Sequence, residues 1–171
     1  MKTITKTFVL SLICVLSFQF TAAQPTMSSK YTDTEVDGMI RAYKTSHSKD
    51  VRPSVVLQQQ FIKDFPKARD IEWEVAANIY EAEFEIGRTD YKAYYDRNAG
   101  LLMYIQEVRG SELPAIVKNG AEAKYPNYKF DDIKRIVKGK EIFYQVEMKK
   151  EQLEIKATFR ENGTFVKEIL D

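Results

Sequence analysis

The 171 residues include 26 lysines and arginines, 25 acidic residues, one histidine and one cysteine. No block of like charge stands out, so the sequence does not predict the basic face that binds nucleic acid. The single cysteine, Cys14, excludes an internal disulfide, so stability must come from burial of apolar side chains.

Residues 1–23 have the pattern of a secretory signal peptide. Lys2 and Lys6 form the basic start, residues 8–20 are apolar, and Ala23 is a small residue before Gln24, where we expect cleavage. An uncleaved anchor is the less favoured alternative, because a membrane helix needs about 18–20 apolar residues. The mature chain is therefore expected to be periplasmic or secreted, with no stable membrane insertion and with enough residues for one domain.

Residues 24–50 are predicted to be a leader that contains one short helix. Val36, Met39, Ile40 and Tyr43 recur at helical spacing, and Asp33 or Thr34 is the expected cap.

A first unit is predicted over residues 51–110. Pro53 suits the first turn of a helix, Leu57, Phe61 and Phe65 follow at spacing four, and Pro66 ends the helix. The apolar period then changes to two, which predicts four strands separated by short turns.

A second unit is predicted over residues 111–171, in the same order. Pro114 opens its helix and Pro126 closes it, and four alternating segments follow. The stretch "YEAEFE" at Tyr80 aligns with "YQVEMK" at Tyr144. Together the units predict one combined domain, 51–171, of the α+β class. It is a tandem repeat of a helix plus a four-stranded antiparallel sheet, with the helices on one face of a curved sheet.

Four features carry a family resemblance. They are the helix opened by Leu113-Pro114, the aromatic-Pro stops, the "Y-x-A/V-E" strands and the turn before the last strand. The chain resembles the PepSY-like family of exported bacterial proteins, which is similar to the beta-lactamase inhibitory protein. The first unit departs from the pattern, with Arg52-Pro53 in place of Leu-Pro. The resemblance implies a curved sheet whose open face grips a partner protein, and it implies no activity or cofactor.

Catalytic residue types are sparse, so we predict no enzyme, no cofactor and no metal site. His47 is the only histidine, and no nucleophile-elbow pattern surrounds Ser111, one serine that could join it in a triad. The pair Asp131-Asp132 lacks the spacing of a calcium loop. Alternation predicts that Glu81, Glu83 and Glu85 lie on the solvated face of a strand.

Tyr94 and Tyr104 are predicted to lie on the open sheet face instead of in the core. Tyrosine is enriched in binding hot spots because it combines a large contact area with a polar tip. The aromatic residues expected in the core are Phe61, Phe65, Trp73, Tyr80, Phe84 and Phe159. The predicted binding residues are Glu81, Glu83, Lys92, Tyr94, Tyr104 and Gln106.

The sequence thus favours a noncatalytic binding module that grips a periplasmic protein or peptide with its open sheet face. The alternative is a small-ligand carrier or an uncharacterised enzyme with a pocket between helix and sheet. The first predicts a continuous exposed surface, and the second predicts a cavity of hundreds of cubic ångströms.

Overall fold

The computed structural model describes residues 24–170, and the predicted signal segment lies outside them. Three α-helices lie within this range: α1 (Asp33–Thr45), α2 (Val55–Asp64) and α3 (Ala115–Lys124), with a short 3-10 turn at Gly110–Glu112 before α3. The strands are β1 (Lys49–Asp50), β2 (Arg69–Ala76), β3 (Ile79–Ile86), β4 (Thr89–Asp96), β5 (Leu101–Glu107), β6 (Lys129–Lys138), β7 (Glu141–Lys150), β8 (Leu153–Arg160) and β9 (Phe165–Leu170). None of the helices in this range is long and apolar enough to cross a membrane.

The nine strands form one open sheet in sequence order, and each strand is antiparallel to the next. The predicted α+β class and the antiparallel pairing are therefore confirmed. Along the chain α2 precedes β2–β5, and α3 precedes β6–β9. β1 and β9 are the two edges of the sheet.

The two sheet-covering helices α2 and α3 end in the same way. The amide of Phe65 donates to the carbonyl of Phe61, and that of Tyr125 donates to Ala121, each just before a proline that cannot continue the helix. Pro114 caps α3, as predicted, but the start of α2 differs from the prediction. Pro53 lies before the cap Ser54, whose hydroxyl accepts from Leu57 N, so Pro53 is not in the first helical turn.

We call the side covered by α2 and α3 the helix face. α2 packs on a cluster that includes Phe84 and Tyr95, and α3 packs on a second cluster that includes Val146 and Phe159. Val137 belongs to the first cluster and Ile133 to the second. Because they lie four residues apart on β6, their side chains point to the same side, so both clusters share a face. The predicted burial of Phe61, Phe65, Phe84 and Phe159 is confirmed, and Trp73 and Tyr80 are half-buried at the cluster margin.

The opposite side, which we call the second face, is covered in part by α1. Val36, Ile40 and Tyr43 of α1 are buried in a third cluster with Tyr94, Leu102 and Met103. The helices of the two units, α2 and α3, share one face as expected, and the leader helix α1 lies on the other. α1 packs there because Tyr94 points away from its neighbour Tyr95 and gives α1 an apolar surface.

The start of α1 also differs from the prediction. Thr32 caps the helix in a reciprocal capping box with Glu35, so neither Asp33 nor Thr34 is the cap. The leader before it is docked. Met27 bridges to Leu101, and the hydroxyl of Tyr31 donates to Asp96 Oδ2 at 2.9 Å.

Candidate binding surfaces

The six predicted binding residues divide between the two faces. Glu81 pairs with Tyr94 and Glu83 pairs with Lys92 on the second face. Tyr94 then pairs with Met103, and Tyr104 pairs with Ala93. Tyr104 and Gln106 therefore lie on the helix face, and their predicted place beside Tyr94 is wrong. A register shift in the β4–β5 pairing inserts one extra β5 residue, which the alternation of apolar residues does not reveal.

Tyr94 is buried and not exposed as predicted. Only 3% of it is accessible, and its ring meets that of Tyr43 of α1 edge-on, with centroids 5.7 Å apart. Burial and the neighbouring Glu81 carboxylate raise its pKa. Tyr94 holds α1 on the sheet, so a partner protein does not reach it in this structure.

Tyr104 is also buried, with 4% accessible, because α2 closes over it. Its ring packs edge-on against Phe65 at 5.6 Å. Its hydroxyl donates to Gln24 Oε1 and accepts from Arg135, both at 3.3 Å. This tyrosine ties the leader and β6 to the helix-face core.

Glu81, Glu83 and Lys92 form one ion-paired group. Lys92 Nζ lies 2.7 Å from Glu83 Oε2 and 3.2 Å from Glu81 Oε1. Burial alone would lower the pKa of Lys92, but the two carboxylates outweigh it and raise that pKa. Glu81 is buried, whereas the side chains of Glu83 and Lys92 are 55% and 42% accessible. Of the six predicted residues, these last two offer accessible charge on the second face.

One row of the second face runs clear of the α1 cluster. Register places Glu107, Lys134, Gln145, Thr158 and Lys167 side by side on five consecutive strands, and we call this the open row. None of the five belongs to the cluster under α1. Glu107 and Lys167 are exposed, Lys134 and Gln145 are half-buried, and Thr158 is buried between its neighbours, with 6% accessible.

The strand surface next to the open row is polar and ion-paired. Lys149 Nζ lies 2.5 Å from Asp131 Oδ2 and 3.5 Å from carboxylate oxygens of Glu147 and Glu154. Lys156 Nζ lies 3.2 Å from Glu154 Oε1 and 3.6 Å from Glu147 Oε2. Ion pairs that are partly open to solvent add little stability, so their side chains and the open row together offer a partner a surface of both charges.

The sequence did not reveal a pair of clefts at the β1–β2 edge of the sheet. On the helix face, an apolar cleft of about 290 Å³ lies between α2 and β2; its lining includes Ile62, Ile71 and Trp73, and Arg52 is its charged member. On the second face, an acidic cleft of about 370 Å³ is lined by Asp50, Val51, Glu72, Trp73, Glu74, Glu81 and Glu83. The sequence signal that could have indicated the apolar cleft was Ile62, an apolar residue outside the spacing-four stripe of α2.

A broader depression of about 850 Å³ lies where the β3–β4 turn approaches the start of β6. Burial, together with Asp132 and Asp90, raises the pKa of Glu107 at its margin. Within residues 24–170 no group of three or more histidine, cysteine or acidic side chains is arranged to hold a metal ion. His47 lies exposed in the connector between α1 and β1.

Comparison with known proteins shows the fold. A BLIP-like protein from Bacteroides fragilis is 24% identical, with a TM-score of 0.63 over 70% of this chain and 87% of that one. A DUF2874 family protein from Bacteroides ovatus is 18% identical, with a TM-score of 0.64 over 70% and 89%. A protein from Bacteroides eggerthii, described only as a candidate periplasmic protein, is 18% identical, with a TM-score of 0.65 over 70% and 90%. No family model and no curated protein matches the sequence.

Proposed function

We propose that this chain is a noncatalytic, exported binding module that grips a periplasmic protein or peptide with the second face of its sheet. The observation that carries the proposal is the open row, which crosses five strands beyond the α1 cluster. Glu83 and Lys92 extend the accessible charge of this face toward the first half of the sheet.

Family and location are part of the same proposal. A signal peptide cleaved before Gln24, duplication of a helix-plus-four-strand unit, and kinship with BLIP-like and PepSY-like proteins together describe an exported inhibitor-type scaffold. The shared fold with Bacteroides proteins, one of them described as BLIP-like, supports this. The matching ends of α2 and α3, each closed by an aromatic residue before proline, support the duplication.

The test is capture of a partner from periplasmic extract with the purified protein, comparing two matched substitutions. Gln145→Arg puts a long cation in the middle of the open row, and Gln59→Arg puts the same side chain on an exposed position of α2. We expect Gln145→Arg to reduce capture of one enriched protein and Gln59→Arg to leave it unchanged. Equal capture by both variants, or cleavage of the captured protein, contradicts the proposal.

A small-ligand role is the second candidate, and the apolar cleft beside α2 favours it. Its volume of about 290 Å³ lies at the lower limit for ligand pockets, and Arg52 is the charged residue in its lining. An apolar dye displaced by one class of small molecule, and unaffected by Gln145→Arg, would favour this role over protein binding.

A further inference from the structure

The β2 edge of the sheet is only partly covered. β1 pairs with it at two positions, Asp50 with Glu74 and Lys49 with Val75, and Val51 N donates once more to Trp73 O at 3.0 Å. The chain then leaves the edge to enter α2. Beyond Trp73, Arg69 and Glu72 pair with β3 on their inner side, and Asp70 and Ile71 lie in a bulge between them. Residues 69–72 have no strand on their outer side within the described chain.

The two clefts flank this uncovered edge from opposite faces. Ile71, a residue that is 41% accessible, and Ile62, which is 61% accessible, line the apolar cleft on the helix face. Glu72 lines the acidic cleft on the second face. Because side chains of a strand alternate between faces, a strand added here would send every second residue into each cleft.

The acidic cleft holds more negative charge than its cations balance. Register sets Glu72 directly opposite Glu83 and Glu74 opposite Glu81, and like charges in such pairs are destabilising. Lys92 bridges Glu81 and Glu83, and the hydroxyl of Tyr43 donates to Glu74.

We infer that this edge takes an extended segment of another protein in which basic and apolar residues alternate. The segment adds a strand beside residues 69–72, with its amides and carbonyls satisfying the open edge. Its apolar side chains enter the cleft between Ile62 and Ile71, and its basic side chains meet Glu72 and Glu83. Arg52, in the lining of the apolar cleft, disfavours basic side chains on that side.

The added strand is short. A bulge interrupts the β2–β3 register between Arg69 and Glu72, and Asp70 there has φ of 52°. Bulges bend an edge and limit pairing, and Trp73 O already accepts from Val51 N, so main-chain pairing is limited to the few residues from Arg69 to Glu72. The segment is therefore recognised through charge and apolar contacts as well as through main-chain bonds. This surface is separate from the open row and does not depend on it.

The experiment titrates the purified full-length protein with a blocked hexapeptide of alternating lysine and valine. Trp73 lines both clefts and is the only tryptophan, so its fluorescence reports binding at this edge. We expect saturable binding that Glu72→Lys weakens about tenfold, from losing an attraction and gaining a repulsion. Glu122→Lys, the same exchange on the exposed side of α3, should leave affinity unchanged.

Two control peptides separate the contributions. Alternating glutamate and valine should not bind, and alternating lysine and serine should bind more weakly. Absence of lysine–valine binding, or equal binding by wild type and Glu72→Lys, overturns the proposal. Binding that calorimetry detects without a change in Trp73 fluorescence places the peptide elsewhere, for example at the exposed edge of β9, and also overturns the proposal. A dimer of the chain that Glu72→Lys disperses would make a second copy the occupant and overturn the assignment of a foreign segment.

Discussion

The two halves of the sheet use similar strands but bury them differently. In the half formed by β2–β5, α2 covers one face and α1 covers part of the other. In the half formed by β6–β9, α3 covers the helix face. The cluster under α1 includes Ile136 of β6 and no residue of β7–β9. Tyr94 and Thr158 occupy aligned positions on β4 and β8, yet only Tyr94 packs under a helix. A similar alternation of apolar and polar residues therefore accompanies a core on both faces in one half, and a second face without a helix in the other.

The helix faces of the two halves also differ in chemistry. Tyr95 donates from its hydroxyl to Asp64 Oδ2 at 3.0 Å, and Gln60 donates to the other oxygen of that carboxylate at 3.0 Å. The aligned residue in the second half is Phe159, which has no hydroxyl and packs against Phe165 at 5.8 Å. The first half thus contains a buried polar network whose bonds must stay satisfied, whereas the second half has an apolar contact there.

The largest expected effect comes from the helix-face core. Phe65→Ala should lower the free energy of unfolding by about 3–5 kcal/mol, because Phe65 is buried against Phe84 and Tyr104. Ile62→Ala, at an exposed position of the same helix, should change it by less than about 0.5 kcal/mol. Urea denaturation followed by Trp73 fluorescence and by circular dichroism measures both. Separate transitions for the two signals would mean that the halves unfold independently, against the continuous sheet.

The next effect compares aligned positions on the second face. Tyr94→Ala should cost about 3 kcal/mol because it removes a buried ring from beneath α1. Thr158→Ala should cost less, about 1 kcal/mol, because Thr158 is buried with 6% accessible but loses only a small side chain and has no α1 cluster above it. Thermal unfolding of the two variants checks the difference. Equal and small losses would mean that α1 contributes little and that Tyr94 is available to partners, as the sequence first suggested.

A smaller effect separates α1 from the rest of the molecule. Thr32→Ala removes the hydroxyl that accepts from Glu35 N and should cost about 1 kcal/mol. Because α1 lies outside the helix-face core, hydrogen exchange should accelerate in α1 and stay unchanged in α2. Ser54→Ala, at the cap of α2, is the matched control and should instead loosen α2. Exchange that rises equally in both helices after Thr32→Ala would show that α1 opens only with the whole domain.

The smallest effect is a pH dependence confined to the first half. Burial raises the pKa of Asp64 despite the opposing bonds from Tyr95 and Gln60. The folded state therefore holds the Asp64 proton more tightly than the unfolded state. The contribution of this group to stability falls as the pH rises above about 4, where the unfolded carboxyl ionises, through the folded pKa.

Asp64→Asn removes that titration, so its stability relative to the wild type should increase between pH 3.5 and pH 7. Urea midpoints at both pH values measure the change. A variant that instead loses relative stability as the pH rises would show that the ionised carboxylate is favoured by its hydrogen bonds.

The sequence predicted much of the fold through local rules. The proline before Ser54 and the one after Phe65 bracket α2 to within two residues, because proline restricts its neighbours whatever the tertiary context. The candidate site was predicted less well. Glu83 and Lys92 lie accessible on the second face as expected, but the β5 bulge moved Tyr104 to the other side. A one-residue slip changes the face of every later side chain in a strand, and the alternation of apolar residues in the sequence does not reveal that slip.

The sequence by itself determined the helices, the eight longer strands and their order, since helical spacing, alternation and prolines act over a few residues; it did not predict β1. It also determined which side chains are apolar enough to form the helix-face clusters. Tertiary structure alone decided that α1 covers Tyr94, that the open row stays clear of the α1 cluster, and that clefts flank the β2 edge. These depend on which distant segments meet across the sheet, and alternation specifies a face without specifying what covers it.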